Sequence, residues 1–250
     1  MPEYDYIYLG DSARCPYGPR SFEVVYEFTL QAVSKLFELG CPLVILACNT
    51  ASAKALRTIQ QINLPVIDAT RRVLGVIRPT AECIGEITRS RHVGILATAG
   101  TIKSESYLLE IHKLSPDIVV TGEACPMWVS LVENNEYQSE GADYFVKQHI
   151  NRLLDKDPMI DTIILGCTHY PLLLDKIRQF TPGHIRIIAQ GEYVARSLQD
   201  YLNRHPEMDA RCEKGGKCRF LTTESENKFE ESASIFLGRQ DIKVESIALE

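Results

Sequence analysis

Two cysteines occupy matching positions in the sequence, each where a short apolar run gives way to a helical pattern. Cys48 lies in LVILACNTAS at residues 43–52, and Cys167 lies in TIILGCTHYPL at residues 162–172. The start of a helix carries unpaired N–H groups and a positive dipole end, which bind anions and lower the pKa of a thiol. Two equivalent thiols favour a two-sided reaction, in which one removes a proton from a carbon and the other delivers a proton to its opposite face.

Polar residues follow both thiols, and each has an ordinary structural explanation beside the chemical one. Asn49, Thr50 and Thr168 are good helix caps, and the turns that they cap also present N–H groups to a carboxylate. His169 either forms an ordinary hydrogen bond near its turn or polarises the thiol of Cys167 and moves its proton. A single cysteine is best explained as a small buried residue, but the repeated pair with polar followers favours chemistry.

The elements that position these residues alternate between short apolar runs and amphipathic helical patterns. This alternation predicts an α/β fold with mainly parallel sheets, in which ligands bind beyond the carboxyl ends of the strands, where both cysteines fall. The repeated cysteine segment further predicts two similar lobes. The predicted elements include strands at Tyr4–Leu9, Pro65–Asp68, His92–Ala97, Asp117–Glu123 and Ile185–Ala189, and helices at Ser21–Leu39, Arg71–Thr88 and Gly141–Leu154.

Composition and charge argue against several classes of protein. The chain has 250 residues, of which 45% are hydrophobic, and a formal net charge of −6, which argues against general nucleic-acid binding. The longest apolar runs have the length of strands rather than of membrane spans, and the acidic start MPEYDYIYLGD does not resemble a signal peptide. We therefore expect a cytoplasmic protein without nucleic-acid or membrane partners.

Eight cysteines are many for such a chain. A disulfide framework is disfavoured because the chain is long, lacks a signal peptide and places several cysteines inside apolar runs. No CxxC occurs, and Cys212 and Cys218 have no histidines at ligand spacing, so we predict no metal site. Buried, inert thiols are expected at Cys41, Cys83 and Cys125.

The segments ACNTAS and GCTHYPLL resemble the two signature motifs of glutamate racemases, the cofactor-independent amino-acid racemases, and the resemblance covers essentially the whole chain. GCTHYP is specific to that family, whereas CNT followed by small residues is shared more loosely with aspartate and hydantoin racemases. The resemblance implies two pseudo-symmetric α/β lobes with flanking helices and an active site in the cleft between them. Residues 1–70 and 181–250 are expected to form the first lobe, and residues 71–180 the second.

The activity that the resemblance implies is the conversion of L-glutamate to D-glutamate, without a cofactor or a metal, to supply D-glutamate for peptidoglycan synthesis. Whether the chain forms a homodimer stays open. Two alternatives also stay open: a racemase of another small amino acid, against which the GCTHYP form speaks, and an inactive family member that keeps the fold and binds glutamate.

The resemblance assigns acid–base roles residue by residue. Cys48 is expected to act on D-glutamate and Cys167 on L-glutamate. The same likeness implies that His169 assists Cys167. It also implies that Glu133, which by sequence alone is a surface carboxylate, supports Cys48.

The resemblance also implies a set of substrate contacts in turns that could otherwise be plain caps and loops. The DxARxPYG motif of the family matches the segment from Asp11 to Gly18, in which Cys15 takes the variable position and is expected not to be catalytic. The implied substrate contacts are Pro16, Tyr17, Gly18, Asn49, Thr50, Thr98, Thr101 and Thr168.

The chain departs from the family at its start, because MPEYDYIYLGD matches the family only from its second strand. The preceding family motif, DSGxGG, provides an Asp beside the first thiol and a Ser that contacts substrate. Loss of a central strand exposes an apolar edge, and an acid–base partner of this type contributes about 10²–10⁴-fold to the rate. The resemblance therefore predicts a weakened first lobe and low activity.

Overall fold

The computed structural model describes residues 1–238 and 242–249, and all elements named below lie within these ranges. The strands are β1 (Tyr6–Gly10), β2 (Leu43–Leu46), β3 (Arg72–Gly75), β4 (His92–Ala97), β5 (Val119–Ala124), β6 (Thr162–Gly166), β7 (Arg186–Ala189), β8 (Cys218–Thr222) and β9 (Val244–Ser246). The helices are α1 (Phe22–Glu38), α2 (Asn49–Lys54), α3 (Leu56–Thr58), α4 (Leu64–Asp68), α5 (Ile77–Ile87), α6 (Ala99–Lys103), α7 (Ser106–Leu114), α8 (Pro126–Glu133), α9 (Glu140–Lys156), α10 (Leu174–Phe180), α11 (Gly191–Arg204), α12 (Pro206–Asp209) and α13 (Glu226–Leu237). A π-helical turn at Ile59–Asn63 joins α3 to α4.

The strands form three sheets, and every strand pair among the described residues is parallel. The largest sheet has the order β5-β4-β6-β7, a second has the order β1-β8-β9, and β2 pairs with β3 in a third. Helices connect successive parallel strands, as parallel pairing requires. The predicted α/β fold with parallel sheets and flanking helices is confirmed.

The four-stranded sheet contains the best-buried strands. Every residue of β6 is buried, and so are five of the six residues of β4, because helices cover both faces of the sheet. One face packs against α8 and α9 around Trp128, and the other packs against α5 and α7 around Ile84. This two-sided burial fixes the carboxyl end of β6, which leads directly into Cys167.

Two sequence predictions between residues 64 and 88 are wrong. The predicted strand Pro65–Asp68 is the helix α4, since a short apolar run does not distinguish a strand from a helix and proline is tolerated in a first helical turn. The predicted helix Arg71–Thr88 begins instead with β3, which pairs with β2. Its remainder is α5, in which Pro79 lies in the first turn and removes no intrahelical hydrogen bond.

Strand pairing also bears on where the two predicted lobes meet. The strand β3 lies beyond the predicted boundary at residue 70 but pairs with β2. The strand β7 lies beyond the predicted boundary at residue 180 but pairs with β6. We propose that the second lobe runs from α5 to β7, with the first lobe on either side of it in the sequence.

No helix in the part of the chain that the structure describes combines the length and apolar character needed to cross a membrane.

The buried sheet predicts a strong dependence of stability on β6. Replacing Ile164, which is fully buried, with alanine is expected to lower the free energy of unfolding by about 2–5 kcal/mol, because the lost methyl groups leave a cavity. The matched control is Val66→Ala, since Val66 is 85% exposed. Urea unfolding of both variants measures the difference, and equal midpoints would contradict the burial of β6.

Candidate active site

Cys48 lies between β2 and α2 in an extended conformation, directly before the first helical residue. Burial raises the pKa of its thiol. The backbone N–H groups of Ala51 and Thr50, together with the Thr50 hydroxyl, oppose that shift because they hydrogen-bond the sulfur and favour the thiolate. The strand-to-helix junction therefore holds a thiol that is neutral at rest and has donors ready for its anion.

Cys167 lies at the corresponding junction after β6 and is only 7% exposed. Burial raises the pKa of its thiol to about 12, and the N–H groups of His169 and Thr168 act in the opposite direction. Cys48 and Cys15 also raise this pKa by charge repulsion. The three thiols are thus close enough to interact, although they come from distant parts of the sequence.

His169 connects Cys167 to a carboxylate. Its Nδ1 lies 3.7 Å from the Sγ of Cys167, and its Nε2 lies 2.5 Å from the Oε1 of Glu133. The hydrogen bond from His169 holds the pKa of Glu133 below its usual value. The hydrogen-bond partner of Glu133 in this geometry is thus the histidine beside the second thiol. Support of the first thiol by Glu133 stays a prediction.

A cluster of buried threonine hydroxyls joins the start of α2 to the start of α6. The Oγ1 of Thr50 lies 3.0 Å from that of Thr98 and 3.4 Å from that of Thr101, and the Thr98 and Thr101 oxygens are 3.1 Å apart. Thr98 also caps α6, since its side chain accepts a hydrogen bond from the N–H of Thr101. We call these three residues the hydroxyl cluster.

The segment Pro16–Gly18 packs against the same place. A Cβ on Gly18 would lie 2.9 Å from the Cβ of Thr98, and a Cβ on Gly100 would lie 2.6 Å from the backbone oxygen of Gly18. Only glycine therefore allows this approach at both positions. Pro16 is exposed and follows a cis peptide bond, while Thr168 is exposed on the turn after β6.

The side chain of Asp11 holds this segment in place. Its carboxylate accepts hydrogen bonds from Arg14, Tyr17 and Thr223. Burial, followed by the hydrogen bond to Asp11, raises the pKa of Tyr17, so its hydroxyl stays protonated. Asp11 belongs to the DxARxPYG motif, but nothing in the sequence around it indicates these contacts.

Asn49 belongs to a buried polar network that the sequence analysis missed. Its side-chain nitrogen donates to Gln190 at 2.7 Å, and its oxygen accepts from the Tyr107 hydroxyl at 2.6 Å. Gln190 in turn donates to Tyr107 at 2.6 Å. The sequence signal that could have indicated Gln190 is its position, since it directly follows β7 at the same edge of the sheet as Cys167.

The arrangement is suited to moving a proton on a small substrate. Two thiols lie at the carboxyl ends of strands in two different sheets, each with backbone N–H groups beside it, and the second has an imidazole–carboxylate pair next to it. Thiols, an imidazole and a carboxylate are general acids and bases, and the N–H groups are donors for a substrate carboxylate.

The polar network predicts that Gln190 stabilises the loop of Cys48 indirectly. Replacing Gln190 with alanine is expected to lower the free energy of unfolding by about 1–3 kcal/mol, because buried groups of Asn49 and Tyr107 lose their partner. The control is the exposed Gln138→Ala, for which a change within about 0.5 kcal/mol is expected. Thermal and urea unfolding provide the comparison, and equal losses in the two variants would refute the network's role.

Known proteins resemble this chain along most or all of its length. A family profile described as Asp/Glu/hydantoin racemase matches residues 1–198. The chain is 38% identical over 251 residues to a glutamate racemase of Bacillus cereus. The alignment covers 100% of this chain and 90% of that relative.

Solved structures of glutamate racemases are also similar. The isoform RacE1 from Bacillus anthracis matches with a TM-score of 0.89 at 34% identity, covering 99% of this chain and 89% of that one. The enzyme from Francisella tularensis in complex with D-glutamate matches with a TM-score of 0.86 at 29% identity, covering 100% of this chain and 89% of that one. This chain therefore belongs to the Asp/Glu/hydantoin racemase family.

Proposed function

We propose that this chain is a glutamate racemase that interconverts L- and D-glutamate by two-thiol acid–base catalysis. The observation that carries the proposal is the pair Cys48 and Cys167, which directly follow β2 and β6 and are close enough for Cys48 to raise the pKa of Cys167. The high coverage of glutamate racemases by this chain supports the same reaction. Glutamate as the substrate is supported by the D-glutamate complex of the similar Francisella tularensis enzyme.

In the proposed reaction, the α-carbon of L-glutamate lies between the two sulfurs. The thiolate of Cys167 takes the α-proton, and the C–H electron pair remains on the α-carbon and spreads into the adjacent carboxylate. The thiol of Cys48 then gives its proton to the opposite face and becomes a thiolate. D-glutamate leaves, and the reverse reaction uses the two groups in exchanged roles.

The partners of His169 suggest how Cys167 is activated. Because the Glu133 carboxylate accepts a hydrogen bond from Nε2, the proton of a neutral imidazole resides on that nitrogen. The Nδ1 atom, 3.7 Å from Sγ, is then free to accept the thiol proton. A substrate α-ammonium group between the sulfurs also favours a thiolate, since an opposite charge stabilises the charged form.

We further propose which groups hold the substrate. The turn amides after each thiol and the exposed Thr168 are suited to the two carboxylates. The polar atoms of the Asn49 side chain already bond Gln190 and Tyr107, so this residue is proposed to act through its backbone. The hydroxyl cluster and the segment Pro16–Gly18 are proposed to wall the site.

The cellular role that we propose is the supply of D-glutamate for peptidoglycan in the cytoplasm. The proposed reaction needs no cofactor, because the thiols perform both proton transfers. A homodimer is the assembly that we propose, to be tested by light scattering.

Exchange of the α-proton tests the mechanism directly. In D₂O, the chain is expected to exchange the α-proton of glutamate and to racemise it, as followed by NMR and circular dichroism. Cys48→Ala and Cys167→Ala are each expected to reduce racemisation by at least about 10²-fold, because each removes one acid–base group. L-aspartate serves as the comparison substrate for a racemase of another small amino acid.

The control variant is Cys83→Ala, since Cys83 is half-buried in α5 away from both strand ends. Full activity in this variant together with losses in the other two supports the two-thiol reaction. A folded chain that binds glutamate without exchanging its α-proton would instead be a binding protein, and the proposed activity would be refuted.

The raised pKa of Cys48 predicts the pH dependence of the D-to-L direction, in which this residue is the base. A thiol with a raised pKa is mostly protonated at neutral pH, and its thiolate fraction grows with pH. The value of kcat/KM for D-glutamate is therefore expected to rise from about pH 7 to about pH 9, by up to about tenfold per unit. Initial rates at constant ionic strength measure the profile, and a flat profile would show that the thiolate already exists at neutral pH.

A further inference from the structure

Three potential metal ligands converge beside the proposed site. A sulfur from Cys15, a carboxylate oxygen from Glu133 and an imidazole nitrogen from His169 all lie within 4.8 Å of one another. The Sγ of Cys15 is 4.0 Å from the Oε1 of Glu133, and that oxygen is 2.5 Å from the Nε2 of His169. The residues come from the loop after β1, the end of α8 and the turn after β6, so their spacing along the sequence gave no indication of the cluster.

The chemistry of the three groups matches one class of ion. Thiolate, imidazole and carboxylate are the side chains that bind Zn²⁺, and three protein ligands with an open fourth position form a common zinc geometry. Magnesium and calcium prefer oxygen ligands only, so a mixed sulfur, nitrogen and oxygen set disfavours them. A borderline-soft divalent ion is therefore the occupant that this set selects.

The distances need only small side-chain movements to fit such an ion. With Zn–S about 2.3 Å and Zn–N and Zn–O about 2.0–2.2 Å, tetrahedral ligand atoms lie about 3.3–3.6 Å apart. The contact between Cys15 and Glu133 must close slightly, and that between Glu133 and His169 must open by about 1 Å. The Glu133 side chain is 41% exposed, which leaves it room to make this adjustment.

We propose that Cys15, Glu133 and His169 bind one Zn²⁺ ion, and that this ion inhibits the reaction reversibly. Zinc takes the place of the proton between Glu133 and His169, and the ring proton then resides on Nδ1, while the thiol proton of Cys15 leaves to solvent as the sulfur becomes a ligand. A water molecule completes the fourth position. The inhibitory part rests on the proposed function, whereas the binding part stands on the ligand geometry alone.

Inhibition follows from the tautomer of His169. When Nε2 binds a metal, the proton of the neutral ring must reside on Nδ1, which faces the sulfur of Cys167. The ring then has no free nitrogen to accept the Cys167 proton. The ion also ties the Cys15 loop to the end of α8, which fixes the segment that we propose as a wall of the site.

Binding is tested with Co²⁺ alone as a spectroscopic substitute for Zn²⁺. The chain with all its cysteines reduced is expected to bind one equivalent, with a thiolate-to-cobalt charge-transfer band and the intense visible bands of tetrahedral Co²⁺. Zn²⁺ should displace the Co²⁺ and remove both signals. Cys15→Ser is expected to lose the charge-transfer band, and the matched half-buried control Cys83→Ser is expected to keep it.

Two results would overturn the site. A band that persists in Cys15→Ser would place the ion on other cysteines. A band that disappears in Cys167→Ala but not in Cys15→Ser would place it on the proposed catalytic thiol.

The inhibitory part is tested by racemisation rates at increasing Zn²⁺. Cys15→Ser is expected to need at least about tenfold more Zn²⁺ for half-inhibition, since even indirect partners of a metal contribute about 10–100-fold to affinity. Its rate without metal should match that of the unaltered chain, and EDTA should restore the inhibited rate. Equal inhibition of both proteins would refute the proposed regulation. If no protein racemises glutamate, the proposed function fails, while the cobalt band still decides whether the ion binds.

Discussion

The relation between the two thiols depends on the hydroxyl cluster of Thr50, Thr98 and Thr101. Cys48 follows a strand of the two-stranded sheet and Cys167 follows a strand of the four-stranded sheet, so no continuous sheet sets their relative positions. The threonines link the first turns of α2 and α6, which follow β2 and β4. Because a buried hydroxyl without a partner costs free energy, the three groups hold each other in place. Hydrogen bonds between side chains, rather than a shared sheet, thus set the relative positions of the two thiols.

Burial governs the chemistry of the thiols themselves. Withdrawal from water favours the neutral thiol, whereas the nearby N–H groups favour the thiolate, and the balance leaves both pKa values raised. Since thiolates react with oxidants far faster than thiols, this balance also protects the site between turnovers. The same low-dielectric surroundings strengthen the attraction between a substrate ammonium group and a sulfur anion. The thiols are therefore protonated and unreactive without substrate, and the substrate ammonium group favours the reactive thiolate.

Sequence reasoning identified the features that are local in the chain and missed those that are not. Cys48 and Cys167 were recognisable because the residues of a buried strand, a small residue and a helix start follow one another directly in the sequence around each of them. The strand β3 was missed because its identity depends on pairing with β2, which its own residues do not encode. The hydrogen bond between Glu133 and His169 was not foreseen, since no sequence pattern connects the two residues. Gln190 and Cys15 likewise acquire their roles only through residues that folding brings near.

The separation of the β2–β3 pair from the larger sheet has a consequence for motion. A two-stranded sheet has few interior hydrogen bonds, whereas the central strands β4 and β6 have a neighbour on each side. Local opening therefore requires less free energy around Cys48 than around Cys167, and amide hydrogens of β2 and β3 should exchange with solvent before those of β4 and β6. The strand that leads into Cys48 is thus expected to open more readily than the strand that leads into Cys167 and its imidazole–carboxylate pair.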